Sequence, residues 1–357
     1  MLTQTQLTEI RDHLEKAQNP LFFFDNDNDG LTSFLQLRRF IDRGKGIPIK
    51  SYPELDSTYF KRIEELDPDY IFILDKPDVS QEFIDKIIEK QLPTVWIDHH
   101  QTQEKTLDPL ISYYNPFLND KTSEPVSYLS YKITNNKEDI WIATIGCISD
   151  AYLPDFYPEF LEKFPELGKA KPSGPKPSFD ILYNSEIGKI ARILDFSLKD
   201  TTTNIVKMMK LMSQVKSPYD LLEENNKTKH ILEKFNEINT KFQSIITKAR
   251  EQANDPFIFF SYGGDLSISS HLANQLSYEF PDKLIIIGYK KEDMVNISLR
   301  WKNDVRSLTL EAIKDIEGAT GGGHKNATGA KMSQEQLPIF KAKVEEILKN
   351  QSKQPTT

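Results

Sequence analysis

The sequence predicts two α/β domains joined by a helical segment, and three observations carry that prediction. Apolar runs of strand length alternate with amphipathic helical patterns through the first half. From NSEIGKIARILDF to about residue 250 the pattern is almost wholly helical. The last hundred residues return to strand-like runs separated by helices. The expected boundaries are 1–195 for a parallel-sheet domain, 196–251 for a helical connector and 252–350 for a smaller α/β domain.

The opening, MLTQTQLTEIRDHLEKAQ, has the spacing of a polar amphipathic helix and lacks the positive-then-apolar order of a secretory signal. LFFF at 21–24 is a strand, and GLTSFLQLRRFID after it has helical spacing. ELDSTYFKRIEEL leads as a helix into the strand YIFIL at 70–74. VSQEFIDKIIEK leads in the same way into TVWI at 94–97. Such a β-α-β rhythm points to a parallel sheet covered on both faces. PVSYLSYKITNN and EDIWIATIGCISDAY read as helices, although IWIATIGC is also apolar enough for a buried strand. KFPELGKAKPSGPKPSFD, within 161–180, is dense in Pro, Gly and Lys and is expected as an exposed loop. Further on, FIFFSY, KLIIIGYK and MVNISLR are strands, DLSISSHLANQLSYE and SLTLEAIKDIEG are helices, and EQLPIFKAKVEEILK is a final helix.

Composition narrows the function classes. No apolar stretch approaches the roughly 20 residues needed to span a bilayer, so no membrane partner is expected. Cys147 is the single cysteine, which excludes an intramolecular disulfide and a thiolate zinc cluster and fits a reducing, cytoplasmic setting. A formal net charge of −8 argues against wrapping duplex nucleic acid by bulk charge. It leaves room for a small or single-stranded nucleotide substrate held through bound cations.

The chemistry gathers at three strand ends. Asp25, Asp27 and Asp29 follow LFFF in DNDNDG, Asp75 follows YIFIL, and Asp98-His99-His100 follow TVWI. A parallel sheet builds ligand sites at its carboxyl edge. DNDNDG also resembles the first half of a calcium loop, but position twelve is Gln36 instead of a bidentate Glu, and the preceding segment is a strand. A dinuclear metal site fits better. Acids at 25, 27 and 29 converge on one centre, and Gly30 relieves the crowding as the chain turns into a helix. Asp75 bridges two cations, His99 supplies a neutral nitrogen and Asp150 closes the set. Such ligands suit two Mn²⁺ ions, with Mg²⁺ as the alternative and Zn²⁺ after it. Asp98 is expected to orient a histidine rather than touch metal. Cys147, Trp96, His13, His230 and His271 are read as packing or surface residues.

GGGHKNATGA at 321–330 is the second informative motif. Gly321, Gly322 and Gly323 permit close backbone approach, and their consecutive amides are expected to surround an anionic phosphate, with His324 beside them. Arg300, at the end of MVNISLR, carries a planar guanidinium suited to bidentate phosphate recognition. Arg306 is a weaker candidate for the same contact, and Lys325 is read as solvent-facing.

The motif order FFFDNDNDGLTS, ILD, IDHH, CISDAY and GGGHKNATG resembles the DHH phosphoesterase superfamily, in the branch with a DHH domain followed by a DHHA1 domain. The resemblance covers most of the chain. The aspartate-rich opening and Asn115-Pro116 after IDHH are similar to the RecJ-like nucleases, whereas family II pyrophosphatases have a histidine-led opening. The resemblance implies a DHH domain joined by the connector to a DHHA1 domain, and metal ligation by Asp27, Asp29, Asp75, His99 and Asp150 with Asp25 close by. It implies substrate contact by His100, Arg300 and His324, and phosphodiester hydrolysis by a metal-activated water, with His100 the candidate acid for the leaving oxygen. The implied activity is a metal-dependent exonuclease on single-stranded DNA, RNA or short oligonucleotides, releasing nucleoside monophosphates. The alternatives are a cyclic-dinucleotide or small-nucleotide phosphoesterase and a non-catalytic scaffold of a nucleic-acid-processing complex. A monomer and a homodimer are both compatible. The chain departs from its relatives at KPDVS after Asp75, where a small turn is usual, so Lys76 alters that edge of the pocket.

Overall fold

Three successive phenylalanines show how the first sheet is buried. Phe22 and Phe24 contact Phe34 on one side, with ring centroids 5.5 and 5.1 Å apart, while Phe23 packs against Tyr59 and Phe83 on the other. Side chains alternate across a strand, so an unbroken apolar run means that both faces are covered. The computed structural model describes residues 1–51 and 54–353 and divides into two units, Met1–Asn236 and the chain from Glu237 onward.

In the first unit α1 (Gln4–Lys16) precedes β1 (Pro20–Asp25), α2 (Asn28–Ile41) and β2 (Lys45–Ile49). There follow β3 (Glu54–Leu55), α3 (Phe60–Leu66), β4 (Tyr70–Leu74), β5 (Asp78–Val79), α4 (Gln81–Glu89), β6 (Thr94–Ile97) and β7 (Ile111–Tyr114). The helices α5 (Pro116–Asp120), α6 (Val126–Thr134), α7 (Ile140–Ser149), α8 (Tyr157–Lys163), α9 (Pro177–Asn184), α10 (Glu186–Ser197) and α11 (Thr202–Met212) follow. The main sheet has the order β2-β1-β4-β6-β7, and every pairing in it is parallel. The expected parallel α/β domain is therefore present.

One face of this sheet packs Phe23, Ile71, Ile73 and Trp96 against Phe60, Ile63, Phe83 and Ile87 of α3 and α4. The other face meets α2, which also packs against α6 and α7. Burying each large apolar side chain contributes about 1.5–3 kcal/mol. The ambiguous IWIATIGC is the helix α7, buried all round. A fully apolar helix belongs in a core. Gly146 lets it approach α2 and α6, since a Cβ there would fall 2.2 Å from Thr32 Oγ1 and 2.4 Å from Ser127.

Sequence patterning did not reveal β2 or β7. Both are edge strands, and β2 contains Gly46 and Pro48, residues that weaken a strand pattern but are tolerated at an edge. The stretch 161–180 is less loop-like than expected: it contains the end of α8 and the start of α9, with Phe164 and Leu167 buried between them. Buried Asp180 ties this segment down, accepting from Lys169 Nζ at 2.6 Å and the Ser173 N–H at 2.7 Å. These contacts compensate for its loop-forming composition.

Helix α12 (Lys229–Arg250) begins in the first unit and ends in the second. The second unit continues with β8 (Ile258–Gly263), α13 (Ser269–Glu279), β9 (Ile285–Lys291), β10 (Met294–Arg300), α14 (Val305–Ile313), β11 (Thr320–His324), β12 (Ala327–Ser333) and α15 (Leu337–Lys353). Its sheet has the order β11-β12-β10-β9-β8, with β8 parallel to β9 and the remaining pairs antiparallel. Ile286, Val295, Ile297 and Leu299 pack with Leu308 and Phe340 in its core. This is the smaller α/β domain expected from the sequence. Among the described residues, no helix is long and apolar enough to cross a membrane.

Candidate metal centre

The sheet order places a topological switch at β1, from which β2 lies to one side and β4 to the other. Crevices for ligands open at the carboxyl ends of strands beside such a switch. Asp25 ends β1, Asp75 follows β4, and Asp98, His99 and His100 follow β6, so three strand ends deliver their polar residues to one edge.

The acidic turn divides its labour. Asp27 caps α2, its Oδ1 accepting the Gly30 N–H at 3.0 Å. Asp29 lies within the first turn of α2 and is buried. Its Oδ2 accepts from the Val126 N–H at 2.8 Å and its Oδ1 from the Ser127 N–H at 2.9 Å, so the carboxylate sits on the N-terminus of α6. Gly30 makes the turn possible, because a Cβ there would lie 2.4 Å from the Asp25 carbonyl oxygen.

Asp75 lies at the centre of the cluster. Its φ is +58°, a left-handed conformation that costs a non-glycine residue energy and recurs at functional sites. Its Oδ1 is buried and accepts no hydrogen bond, with His99 Nε2 at 3.3 Å and His100 Nδ1 at 3.9 Å. Oxygen and nitrogen atoms of Asp75, His99 and His100 lie within 4.8 Å of one another, as do carboxylate oxygens of Asp25, Asp27 and Asp75. Asp75 thus belongs to both groups. Asp150, the C-cap of α7, reaches to 3.8 Å from His99 Nε2. A carboxylate at a helix C-terminus faces the negative end of the dipole, an arrangement that favours a cation beside it.

The neighbours of His99 define which nitrogen points inward. Ser123 Oγ donates to the His99 carbonyl at 2.8 Å, which leaves it to accept from His99 Nδ1–H at 3.1 Å. In the neutral ring, Nε2 then presents its lone pair toward Asp75 and Asp150, as a metal-ligating imidazole does. His100 is held differently. Its Nδ1 lies 2.8 Å from Asp98 Oδ1, and buried Asp98 also accepts from Asn115 Nδ2 at 3.1 Å and the Tyr113 hydroxyl at 3.3 Å.

Electrostatics follow from this crowding. Burial, followed by the charges of Asp25 and Asp29, raises the Asp27 carboxyl well above the usual carboxylate range. Burial, then Asp29 and Asp27, does the same to Asp75. Burial works against charge on His99, but Asp150 and Asp75 outweigh it and raise its pKa. Burial likewise opposes ionisation of Asp98, yet the His100 hydrogen bond prevails and lowers its pKa. The enclosed Asp75 oxygen and the inward Nε2 of His99 beside it fit a divalent cation. Asp29 lies outside both ligand groupings, its oxygens engaged by α6.

Several supporting residues carried no legible signal in the sequence: Ser123 behind His99, Tyr113 behind Asp98, and Ser127 on Asp29. Asn115 was visible only as part of Asn-Pro. Cys147 is buried, and His13 Nδ1 lies 2.7 Å from the Tyr70 hydroxyl on α1's inner side.

In the second unit the glycine motif is a strand. Gly321, Gly322 and Gly323 lie in β11 and pair with Ala330, Gly329 and Thr328 of β12. The antiparallel ladder occupies this backbone, and β11 is an edge strand, so part of its polar backbone faces away from β12. Gly323, at φ +132°, leaves no room for a Cβ, whereas none of the described residues lies within 4 Å of a Cβ at Gly322. His324 is exposed at the strand end. Arg300 Nε donates to Asn274 Oδ1 at 2.6 Å and its Nη1 to the Leu299 carbonyl at 2.8 Å.

Residues 254–350 match the DHHA1 domain model. The chain combines a DHH-type fold with a DHHA1 domain. Among solved structures, exonuclease RecJ bound to manganese is 16% identical, with 97% of this chain and 95% of that one covered at a TM-score of 0.65. RecJ from Thermus thermophilus in complex with Mn²⁺ is 14% identical, with 96% of this chain and 54% of that one covered at 0.64. The chain therefore spans about half of that longer RecJ. The DHH domain of a protein described as a ribosomal-protein family member is 14% identical, covered over 97% and 90%, at 0.67. At these identities the likeness is one of fold. No curated protein matches the chain in sequence.

Proposed function

We propose that this DHH–DHHA1 chain is a metal-dependent phosphodiesterase whose substrates are single-stranded nucleic acid or short oligonucleotides. The observation that carries the reading is the buried Asp75 Oδ1, set 3.3 Å from His99 Nε2 and grouped with the carboxylates of Asp25 and Asp27. The RecJ structures with Mn²⁺ and with Mg²⁺ support the use of a divalent cation. Asp75, His99 and Asp150 would hold one ion, and Asp25, Asp27 and Asp75 a second. Such ions supply Lewis-acid polarisation of a phosphoryl oxygen and acidify a water.

The protein's own residues then divide the work. Asp98, fixed by Asn115 and Tyr113, holds His100 through Nδ1. With Nδ1 committed, Nε2 is the atom from which His100 would donate to substrate or protonate the leaving oxygen. In the DHHA1 unit, Arg300 and His324 would recognise phosphate, and the open space at Gly322 would let a ligand approach the edge of β11.

The test is cleavage of end-labelled single-stranded DNA and RNA, from two nucleotides upward, with Mn²⁺. Stepwise release of mononucleotides by the wild-type chain and none by Asp75→Ala is expected. No cleavage of any strand by a chain that binds Mn²⁺ would refute the nuclease reading and favour cyclic dinucleotides or small phosphorylated nucleotides.

A further inference from the structure

Lys76 directly follows Asp75, the acid shared by both candidate ligand groups, and its position has a physical consequence. The left-handed turn at Asp75 directs the next side chain inward, and Lys76 is fully buried. Its Nζ lies 3.0 Å from Asp25 Oδ1 and 2.6 Å from the Ser51 carbonyl oxygen. The Lys76 backbone is fixed in turn, since its carbonyl accepts from Trp96 Nε1 at 2.8 Å. A buried ammonium is costly unless a carboxylate compensates it. The compensating carboxylate here is Asp25, whose other neighbours in the candidate ligand group are Asp27 and Asp75.

We infer that Lys76 is a built-in cation that takes up part of the charge of the Asp25–Asp27–Asp75 group and makes the two metal positions unequal. The position formed by Asp75, His99 and Asp150 holds its ion tightly. The position formed by Asp25, Asp27 and Asp75 shares its anionic charge with a fixed ammonium, which occupies an Asp25 oxygen and repels an incoming divalent ion. That second ion is bound weakly. Lys76 is a positioning residue in this scheme: it touches Asp25 and acts on the metal through it. A purely structural staple between Ser51 and the end of β4 would need a donor but no charge. The charge is what distinguishes the two roles.

The inference rests on the two-ion reading above, and titration calorimetry with Mn²⁺ on the full chain separates the two. Wild-type protein should bind two ions in two resolved steps. Lys76→Met, nearly equal in length but neutral, should tighten the weaker step by about tenfold or more, because unit charges a few ångströms apart in a partly buried site interact strongly. The tighter step should move much less. Lys76→Arg, which keeps the charge, should not tighten the weaker step. Should Lys76→Met fail to fold by circular dichroism, Lys76→Gln keeps a donor for Ser51 and carries the same expectation as the Met variant. Two wild-type steps with no tightening in the neutral variants, or with weaker binding in them, would overturn the role of Lys76 and leave the metal site standing. A wild-type chain that binds no Mn²⁺ would overturn both.

Discussion

Replacing Gly30 with alanine sets two energies against each other, and the structure decides which is larger. Gly30 occupies the first turn of α2, where alanine is intrinsically better by about 1 kcal/mol. A Cβ at this position, however, would lie 2.4 Å from the carbonyl oxygen and 2.7 Å from the amide nitrogen of Asp25. Both are backbone atoms at the end of β1, far inside van der Waals contact, and no rotamer change relieves the overlap. Either the start of α2 or the end of β1 must move. Overpacking of a fixed core typically costs about 1–3 kcal/mol, and contact with backbone belongs at the upper end.

The net effect of Gly30→Ala is then a loss of about 1–2 kcal/mol. For a unit of 236 residues, Met1–Asn236, that lowers the melting temperature by about 2–8 °C. The same displacement shifts Asp25 and Asp27, whose oxygens form one candidate ligand group with Asp75, so Mn²⁺ affinity should fall together with stability. Thermal unfolding and Mn²⁺ titration of the same preparation check both. A variant that melts at or above the wild-type temperature and keeps its Mn²⁺ affinity would refute the argument from close approach.

Three further outcomes follow from buried charge. Mn²⁺ at 100 times its dissociation constant should stabilise the fold by about 2.7 kcal/mol, a rise of about 5–11 °C by scanning fluorimetry, and Asp75→Asn should remove most of it. Asp27 and Asp75 are raised in the metal-free fold, so that fold binds more protons than the unfolded chain and this pair's contribution declines as pH rises above about 4. A melting temperature indifferent to Mn²⁺ would count against the site. Far from it, Arg39 pairs with fully buried Asp139 through Nη2 at 2.7 Å and donates Nη1 to the Met212 and Val215 carbonyls. Arg39→Met strands the carboxylate and should cost about 3–5 kcal/mol in denaturant unfolding; a loss below about 1 kcal/mol would show that Asp139 escapes to water.

The legible parts of this protein are those in which local pattern and global position agree. YIFIL, TVWI and MVNISLR become β4, β6 and β10 residue for residue, since apolar runs of that length have few alternatives in a covered sheet. Acids and histidines placed directly after parallel strands fall on one edge by topology alone, which is why the cluster is legible in the sequence. Edge elements were not legible. β2 and β11 carry glycine or proline, and only pairing with β1 and β12 makes them strands. The partners of the cluster were hidden for another reason: Val126 and Ser127 reach Asp29 only because α6 docks on α2, a contact between segments nearly a hundred residues apart, and Ser123 meets His99 just ahead of that helix.

Lys76 marks the boundary between these cases. Its sequence position flagged a departure, yet a lysine is ordinarily solvent-facing, and nothing in KPDVS announces an inward turn. That turn depends on the left-handed backbone of Asp75, and Asp75 adopts it at the point where β4 delivers its carboxylate to the site. The same backbone conformation therefore places an anion among anions and supplies, one residue later, a cation beside them. A fold that concentrates carboxylates at a switch point must offset their repulsion in the absence of metal, and here the offset is attached to the central acid itself. A neutral residue at this position would leave Asp25 without its ammonium and make the metal-free fold depend more heavily on bound cations.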